Sequence, residues 1–208
     1  MRKVIDADGF DEKFRSDPDP WNYVGSLFEA HKRRVLLRAC GTRHFGRALE
    51  IGCAIGVTTV ELAKICSRVV AVDASPTALR EAARRTADLP NVTLQLVRLP
   101  DNIPPGPFDL IVVSEILYYL PERHAAAAMS ALRRALAPGG RLVLLHHVRD
   151  FDDAAQKPWL AQDRARRLIE RSARTVFDHA EGRFRAAAFV APRLGSPNSE
   201  SSRMRAFQ

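Results

Sequence analysis

The chain is short of the features that usually narrow a function. Cysteine is scarce: Cys40, Cys53 and Cys66 are the only three in 208 residues. They form no CxxC pair and no cluster with histidine, which argues against a zinc ribbon or a disulfide scaffold. The expectation is a reduced, cytosolic protein with no metal. Cys53 reads as a small, tightly packed residue rather than a reactive thiol. No apolar run reaches the roughly 18 residues that a membrane span needs. The opening Met1-Arg-Lys-Val-Ile-Asp6 has charge but no apolar core of a secretory leader. Aromatics make up 7% of the chain. None is interleaved with the densest basic segment, Arg164, Arg166, Arg167, Arg171 and Arg174, so it offers no stacking platform for nucleic acid. Asp163 and Glu170 are mixed into that segment. A net charge of +8 therefore reads as solvated helix surface, and neither nucleic acid nor membrane is expected as a partner.

What is present is an alternation of short apolar strands and helices. Strands are expected at 48–51, 68–73, 91–97, 108–114 and 141–146. Helices are expected at 57–65, from Ser75-Pro76 to about Thr86, and from His124 to Leu136. Ser75 is a natural N-cap with proline at the first helical position. Runs such as Val69-Val-Ala-Val72 suit parallel strands buried on both faces. The pattern predicts an α/β fold, a Rossmann-like doubly wound, mostly parallel sheet. Residues 154–173 carry a helical pattern, and 175–178 with 183–190 an antiparallel hairpin. Residues 1–20 are polar, end in Ser16-Asp-Pro-Asp-Pro20, and are expected to be an extended or turning lead-in. A helix from Glu29 to Ala39 follows. The expected division is a lead-in and cap helix (1–40), a main domain (41–194) and a disordered tail (195–208).

The chain is organised around Leu49-Glu-Ile-Gly-Cys-Ala-Ile-Gly56: strand, glycine turn, helix. Gly52 and Gly56 allow a ligand to approach the backbone, and a helix N-terminus offers unpaired N–H groups. A glycine turn alone is a weak signal, and it is shared with dinucleotide-binding proteins. Here the turn is not G-x-G-x-x-G. An acid, Glu50, precedes Gly52, and a second acid, Asp73, closes the next strand. Glu50 suits a sulfonium or ammonium, and Asp73 suits vicinal ribose hydroxyls. Together they favour S-adenosylmethionine (SAM). Open sheets bind ligands beyond the carboxyl ends of their strands, so Asp73 with Ala74, Arg98 with Leu99, and Ser114 with Glu115 join the candidate site.

Those runs, with Phe108-Asp-Leu-Ile-Val-Val-Ser-Glu115 and Leu136-Ala-Pro-Gly-Gly140, resemble class I SAM-dependent methyltransferases. Asp17-Pro-Asp-Pro-Trp21 together with Phe108 to Leu120 resembles, more narrowly, the nodulation protein S (NodS) family. That resemblance implies N-methylation of an amino sugar in an oligosaccharide. It also implies a SAM site at Glu50, Gly52, Gly56, Asp73 and Ser114, with Trp21 and Tyr23 near it and Cys53 and Ala54 in the turn. Two positions depart from the family pattern. Ala54 stands at a glycine position, and Arg98 stands where an acid commonly binds the adenine amino group. Arginine cannot accept that hydrogen bond.

Methyl transfer needs positioning, and a base only if the nucleophile must lose a proton. Candidates are His146 and His147 at the end of the fifth strand, with Glu115 and Tyr118 after the fourth. Strand alternation points one histidine toward the cleft and the other away. Glu115 suits an ammonium; Tyr118 and Tyr119 suit the face of a sugar. Trp21 and Tyr23 form either a lid sealing the domain edge or a flap over the ligand. The expected partner is a small-molecule or oligosaccharide acceptor, and the expected assembly a monomer or homodimer. An O-methyltransferase and a non-catalytic SAM-binding regulator stay open as alternatives.

Overall fold

The computed structural model describes residues 4–193; the expected tail at 195–208 lies outside the described residues. The strands are β1 (Phe45–Ile51), β2 (Cys66–Asp73), β3 (Val92–Leu96), β4 (Phe108–Ser114), β5 (Leu136–His147), β6 (Arg174–Glu181) and β7 (Phe184–Val190). They form one sheet in the order β3-β2-β1-β4-β5-β7-β6. β1 to β5 are parallel, while β7 runs antiparallel to both β5 and β6. The terminal hairpin thus sits inside the sheet edge, with β7 rather than β6 against β5. The strand order reverses between β1 and β4, which opens a crevice at their carboxyl ends.

Alternation along the strands divides the core in two. Leu49, Ile51, Val70, Val72, Ile111, Val113, Leu142 and Leu144 pack on one face. They meet Met129 and Leu132 of α5 (Glu122–Ala135) and Ala161, Ala165 and Ile169 of α6 (Pro158–Glu170). Ala48, Val69, Ala71, Leu110, Val112, Val143 and Leu145 pack on the other. They meet Val35, Leu36 and Ala39 of α2 (Leu27–Cys40) and Leu62 and Ala63 of α3 (Val57–Ile65). The period of two decides the placement of every charged residue at a strand tip. α4 (Pro76–Arg85) begins as its sequence predicts: the Ser75 hydroxyl accepts from Ala78 N, and Pro76 is the first helical residue.

The lead-in departs from expectation. Residues Ala7–Ser16 are a helix, α1, capped by Asp6, whose carboxylate accepts from Gly9 N at 2.9 Å. Proline density at 18–20 masks a helical spacing upstream: Phe10 and Phe14 lie one turn apart on a single face. That face packs on Trp21, with ring centroids at 6.0 and 5.5 Å. Trp21 in turn lies 5.8 Å from Tyr23. Phe14, Ile55 and Ala78 form a third, small core cluster, so α1 rests on the glycine turn and on α4.

Candidate active site

The crevice at the β1/β4 reversal is roofed by α1 and the 21–24 segment, which makes a cavity of about 420 Å³. That is a size suited to a small organic ligand. Its floor is Ile51, Gly52, Ala54, Asp73, Ala74, Val97, Arg98, Leu99, Ser114 and Glu115; its roof includes Phe10, Phe14, Trp21 and Tyr23. A second, smaller chamber continues past Gly52 and Ser114 and is lined by Glu50, Cys53, Thr58, Lys32 and Arg33. Every cofactor-side residue expected from sequence other than Gly56 lines one of the two chambers.

The glycine turn is held by the neighbouring strand. Gly52 N and Cys53 N both donate to Val72 O, at 2.9 and 3.0 Å. Gly52 adopts φ +75°, and Gly56 at +79° is the uncapped N-terminal residue of α3. Ala54 adopts φ +47°, left-handed backbone that glycine takes freely and that costs a side chain about 1 kcal/mol. Asp73 fixes this turn directly. One carboxylate oxygen accepts from Ala54 N at 2.8 Å and the other from Ser75 N at 2.9 Å. Burial raises its pKa, and the hydrogen bonds from Ser75, Ala54 and Ala74 work against that rise.

Glu50 is 3% exposed and accepts from the Thr59 hydroxyl at 2.6 Å. Burial pushes its carboxyl up to about 8, against the Thr59 bond and with help from Asp73. At neutral pH it is mostly protonated. Burial drives the Cys53 thiol well above its usual range, with Asp73 and Glu50 adding to the effect, so the thiol is unreactive. Arg98 does not enter the chemistry of the floor; its guanidinium pairs with Asp8 of α1 at 2.6 Å, tying lid to rim.

At the end of β4 the chain turns through Glu115, at φ +56°. One Glu115 oxygen accepts from His147 N at 2.9 Å and from the Tyr118 hydroxyl. The other oxygen lies 2.7 Å from Lys32 Nζ but in no aligned hydrogen bond. Lys32 also lies 2.9 Å from Glu29. Burial raises the Glu115 carboxyl, but Lys32, with help from the Tyr118 hydroxyl, outweighs it and holds the group below its usual range. Tyr118 is 4% exposed and lines the cavity; Tyr119 stacks edge-on against Phe10 at 4.6 Å.

Alternation led to the expectation that one of the two histidines would face the cleft, but neither lines the cavity, and His146 is placed as a packed residue rather than a base. It faces α6 and is fully buried. Its Nδ1 lies 2.7 Å from Gln162 Oε1, and its Nε2 accepts from Leu117 N at 3.3 Å. Accepting there makes Nδ1 the protonated nitrogen. Burial pushes its pKa down to about 4. It thereby holds the turn that carries Tyr118. His147 lies outside the cavity lining, with its ring 5.8 Å from Phe151. Among the described histidines, His124 on α5 alone lines the cavity, at its rim.

Sequence reasoning missed Lys32, Glu29 and Asp11. The expected helix from Glu29 to Ala39 carries no local signal that Lys32 or Glu29 faces the site. Asp11 of α1 accepts from the Ser75 hydroxyl at 2.7 Å and from Thr77 N at 2.9 Å, and pairs with Arg15 at 2.5 Å. Burial raises its carboxyl, but these partners prevail and bring it to about 2. The basic run on α6 is spent on ion pairs: Arg166 with Glu170 and Asp178, and Arg167 with Asp163.

The strand order, mostly parallel with a terminal antiparallel hairpin, is that of the class I methyltransferase fold. Residues 8–159 match the family model for nodulation protein S (NodS), and the chain belongs to that family. It is 36% identical over 127 residues to a nodulation protein S of Rhizobium tropici, covering 60% of this chain and 53% of that protein. To a nodulation protein S of Bradyrhizobium diazoefficiens it is 37% identical over 131 residues, covering 60% and 61%. The chain thus spans little more than half the length of these relatives. Among solved structures, the N-methyltransferase NodS from Bradyrhizobium japonicum WM9, in complex with S-adenosyl-L-homocysteine, superposes with a TM-score of 0.79. Identity there is 25%, over 91% of this chain and 100% of that one.

Proposed function

We propose that this protein is a SAM-dependent methyltransferase whose acceptor is the amino nitrogen of an amino sugar in an oligosaccharide. The observation that carries the reading is the placement of Glu50 and Asp73 in two adjoining chambers at the sheet reversal, joined along Gly52, Ala54 and Ser114, in a chain of the NodS family. The residues fit the cofactor. Asp73 has spare lone pairs for two ribose hydroxyls. The left-handed turn presents backbone, not side chains, to the ligand. Glu50 suits the cationic end, and Leu99 the adenine edge. Bound there, SAM would supply an electrophilic methyl group.

The chain's own residues then position the acceptor. Phe10, Trp21 and Tyr119 offer aromatic faces suited to a sugar ring. Tyr118 is the hydrogen-bond donor to Glu115 and keeps that carboxylate directed at the cavity. Lys32 holds the Glu115 carboxyl below its usual range, which makes it a weak base for an acceptor proton. An amine acceptor fits this arrangement better than a hydroxyl, since a hydroxyl demands a base and His146 is spent on Leu117 and Gln162. The test is a SAM-dependent assay on glucosamine oligomers beside N-acetylated and hydroxyl-only oligosaccharides of equal length, read by mass. A single-methyl mass gain confined to the free-amine oligomers is expected. Gain on the hydroxyl-only sugars would replace the acceptor, and failure to bind SAM at all would remove the class.

A further inference from the structure

An amine attacks only with its lone pair free. Lys32 holds Glu115 below the usual carboxylate range. The Tyr23 and Tyr118 hydroxyls are pushed well above their usual range by burial. Glu50 is bonded to Thr59 in the side chamber. None of these four is suited to taking a proton from an ammonium, whereas loss of the proton to solvent on binding needs no such group.

Lys32 is the unexplained group. Its side chain is 11% exposed, it lines both chambers, and it sits between Glu29 and Glu115 at 2.9 and 2.7 Å. A lysine on a helix surface has no need of burial, which costs it free energy unless it is paired. We propose that Lys32 is a positioning residue that neutralises Glu115, so that this cavity takes the acceptor amine as its free base rather than as an ammonium ion. The inference rests on the methyltransferase reading above.

The charges near Glu115 support it. From α2 come Glu29, Lys32 and Arg33; from the turn after β4, Glu115 and Tyr118; from β5, neutral His146 and His147. Arg33 makes one hydrogen bond, to Tyr23 O, and no ion pair among the described residues. Lys32 and Arg33 of α2 thus stand against the Glu29 and Glu115 carboxylates. Glu50, mostly protonated, lies in the side chamber, and Asp73 faces the main cavity from the floor. An uncompensated Glu115 would stabilise an ammonium; a compensated one does not, and desolvation under the Phe10, Phe14 and Trp21 roof favours the neutral amine. The step balances simply. One N–H bond of the acceptor ammonium breaks, its electron pair stays on nitrogen, and the proton passes to solvent on binding.

The test is calorimetry of a glucosamine trimer binding to the full chain with S-adenosylhomocysteine present. It is run about one unit below the acceptor amine's pKa, in two buffers of different ionisation enthalpy, so that released protons are counted. The unaltered protein should release about one proton for each amine seated. Lys32→Met should release close to none and bind the protonated trimer more tightly, while Lys32→Arg keeps the release. Glu115→Gln should release at least as much as the unaltered protein. The acidic limb of turnover should move up in Lys32→Met and down in Glu115→Gln. Opposite shifts are not produced by loosened packing. Equal release in Lys32→Met and the unaltered protein, or no release in either, overturns the proposal while leaving the parent reading intact. Failure to bind S-adenosylhomocysteine in the unaltered protein sinks the parent reading instead. If Lys32→Met does not fold, the Lys32→Arg and Glu115→Gln pair decides, since unchanged release in the first and lowered release in the second would overturn the proposal.

Discussion

The floor and the roof of the cavity are built on opposite plans. On the floor, Asp73 uses its carboxylate to hold backbone N–H groups of the turn beside it, and burial raises its pKa. In the roof, Asp11 reaches 66 residues along the chain to the start of α4, and its partners bring it to about 2. One acid shapes a local turn; the other clamps a remote helix onto it. Both converge on Ser75, whose backbone N–H goes to Asp73 and whose hydroxyl goes to Asp11. The floor is therefore built from the ends of the sheet strands. The roof is joined to it by side-chain bonds from Asp11 and by the small Phe14, Ile55 and Ala78 cluster.

The largest test of that contrast is Asp73→Ala. It removes the expected ribose acceptor and also frees Ala54 N, so SAM affinity should fall by about 100-fold or more, roughly 3 kcal/mol, by calorimetry. Unchanged affinity would detach the cofactor from the floor. Glu50 gives a pH signature next in size. Its carboxyl must ionise to meet a cation, so SAM affinity should climb with pH, by up to about tenfold per unit, and level off above about 8. Glu50→Gln should bind weakly and without that slope; a flat profile in the unaltered protein would show that Glu50 meets no cation. The same raised carboxyl makes the free protein lose stability as pH rises from about 4.5 to about 8, because the native state then holds a proton that the unfolded chain has released.

For the roof, Asp11→Ala leaves the Ser75 hydroxyl and Thr77 N without their partner. SAM affinity should drop about tenfold, with faster hydrogen exchange over 7–16 and little change over 48–73. Equal acceleration in both regions would erase the distinction between them. Asp11 has the opposite pH sign to Glu50. Its contribution is complete above about 3.8 and is lost as pH falls toward 2. The smallest effect belongs to Ala54→Gly, which relieves the left-handed strain at +47° and should stabilise the fold by up to about 1 kcal/mol in denaturant melts. A loss of stability there would mean that the methyl group packs better than the strain costs.

The legibility of the molecule follows the same division. β1, β2 and β4, the glycine turn and the Ser75-Pro76 helix start were readable because each depends on neighbours within a few residues: apolar runs, positive φ and a cap. α1 was not. Its Phe10 and Phe14 show a helical face, but Pro18 and Pro20 dominate the local pattern, and what stabilises the helix is Asp11 on α4 and Phe14 on Ile55. That one of His146 and His147 would face the cleft was expected from alternation, but neither ring lines the cavity: His146 is bonded to Gln162 of α6 and the His147 ring lies beside Phe151.

By itself, then, the sequence determined the alternating sheet, the turn with its two acids and the family, because those are properties of short periods and spacings. Only the tertiary structure decided that Lys32 faces Glu115, that Asp11 seats the roof, and that His146 is a strut for Leu117. Each of those contacts joins segments 29 or more residues apart. The free energy that selects them comes from burying charges and donors that must find partners, and no local pattern in the chain records which partner that will be.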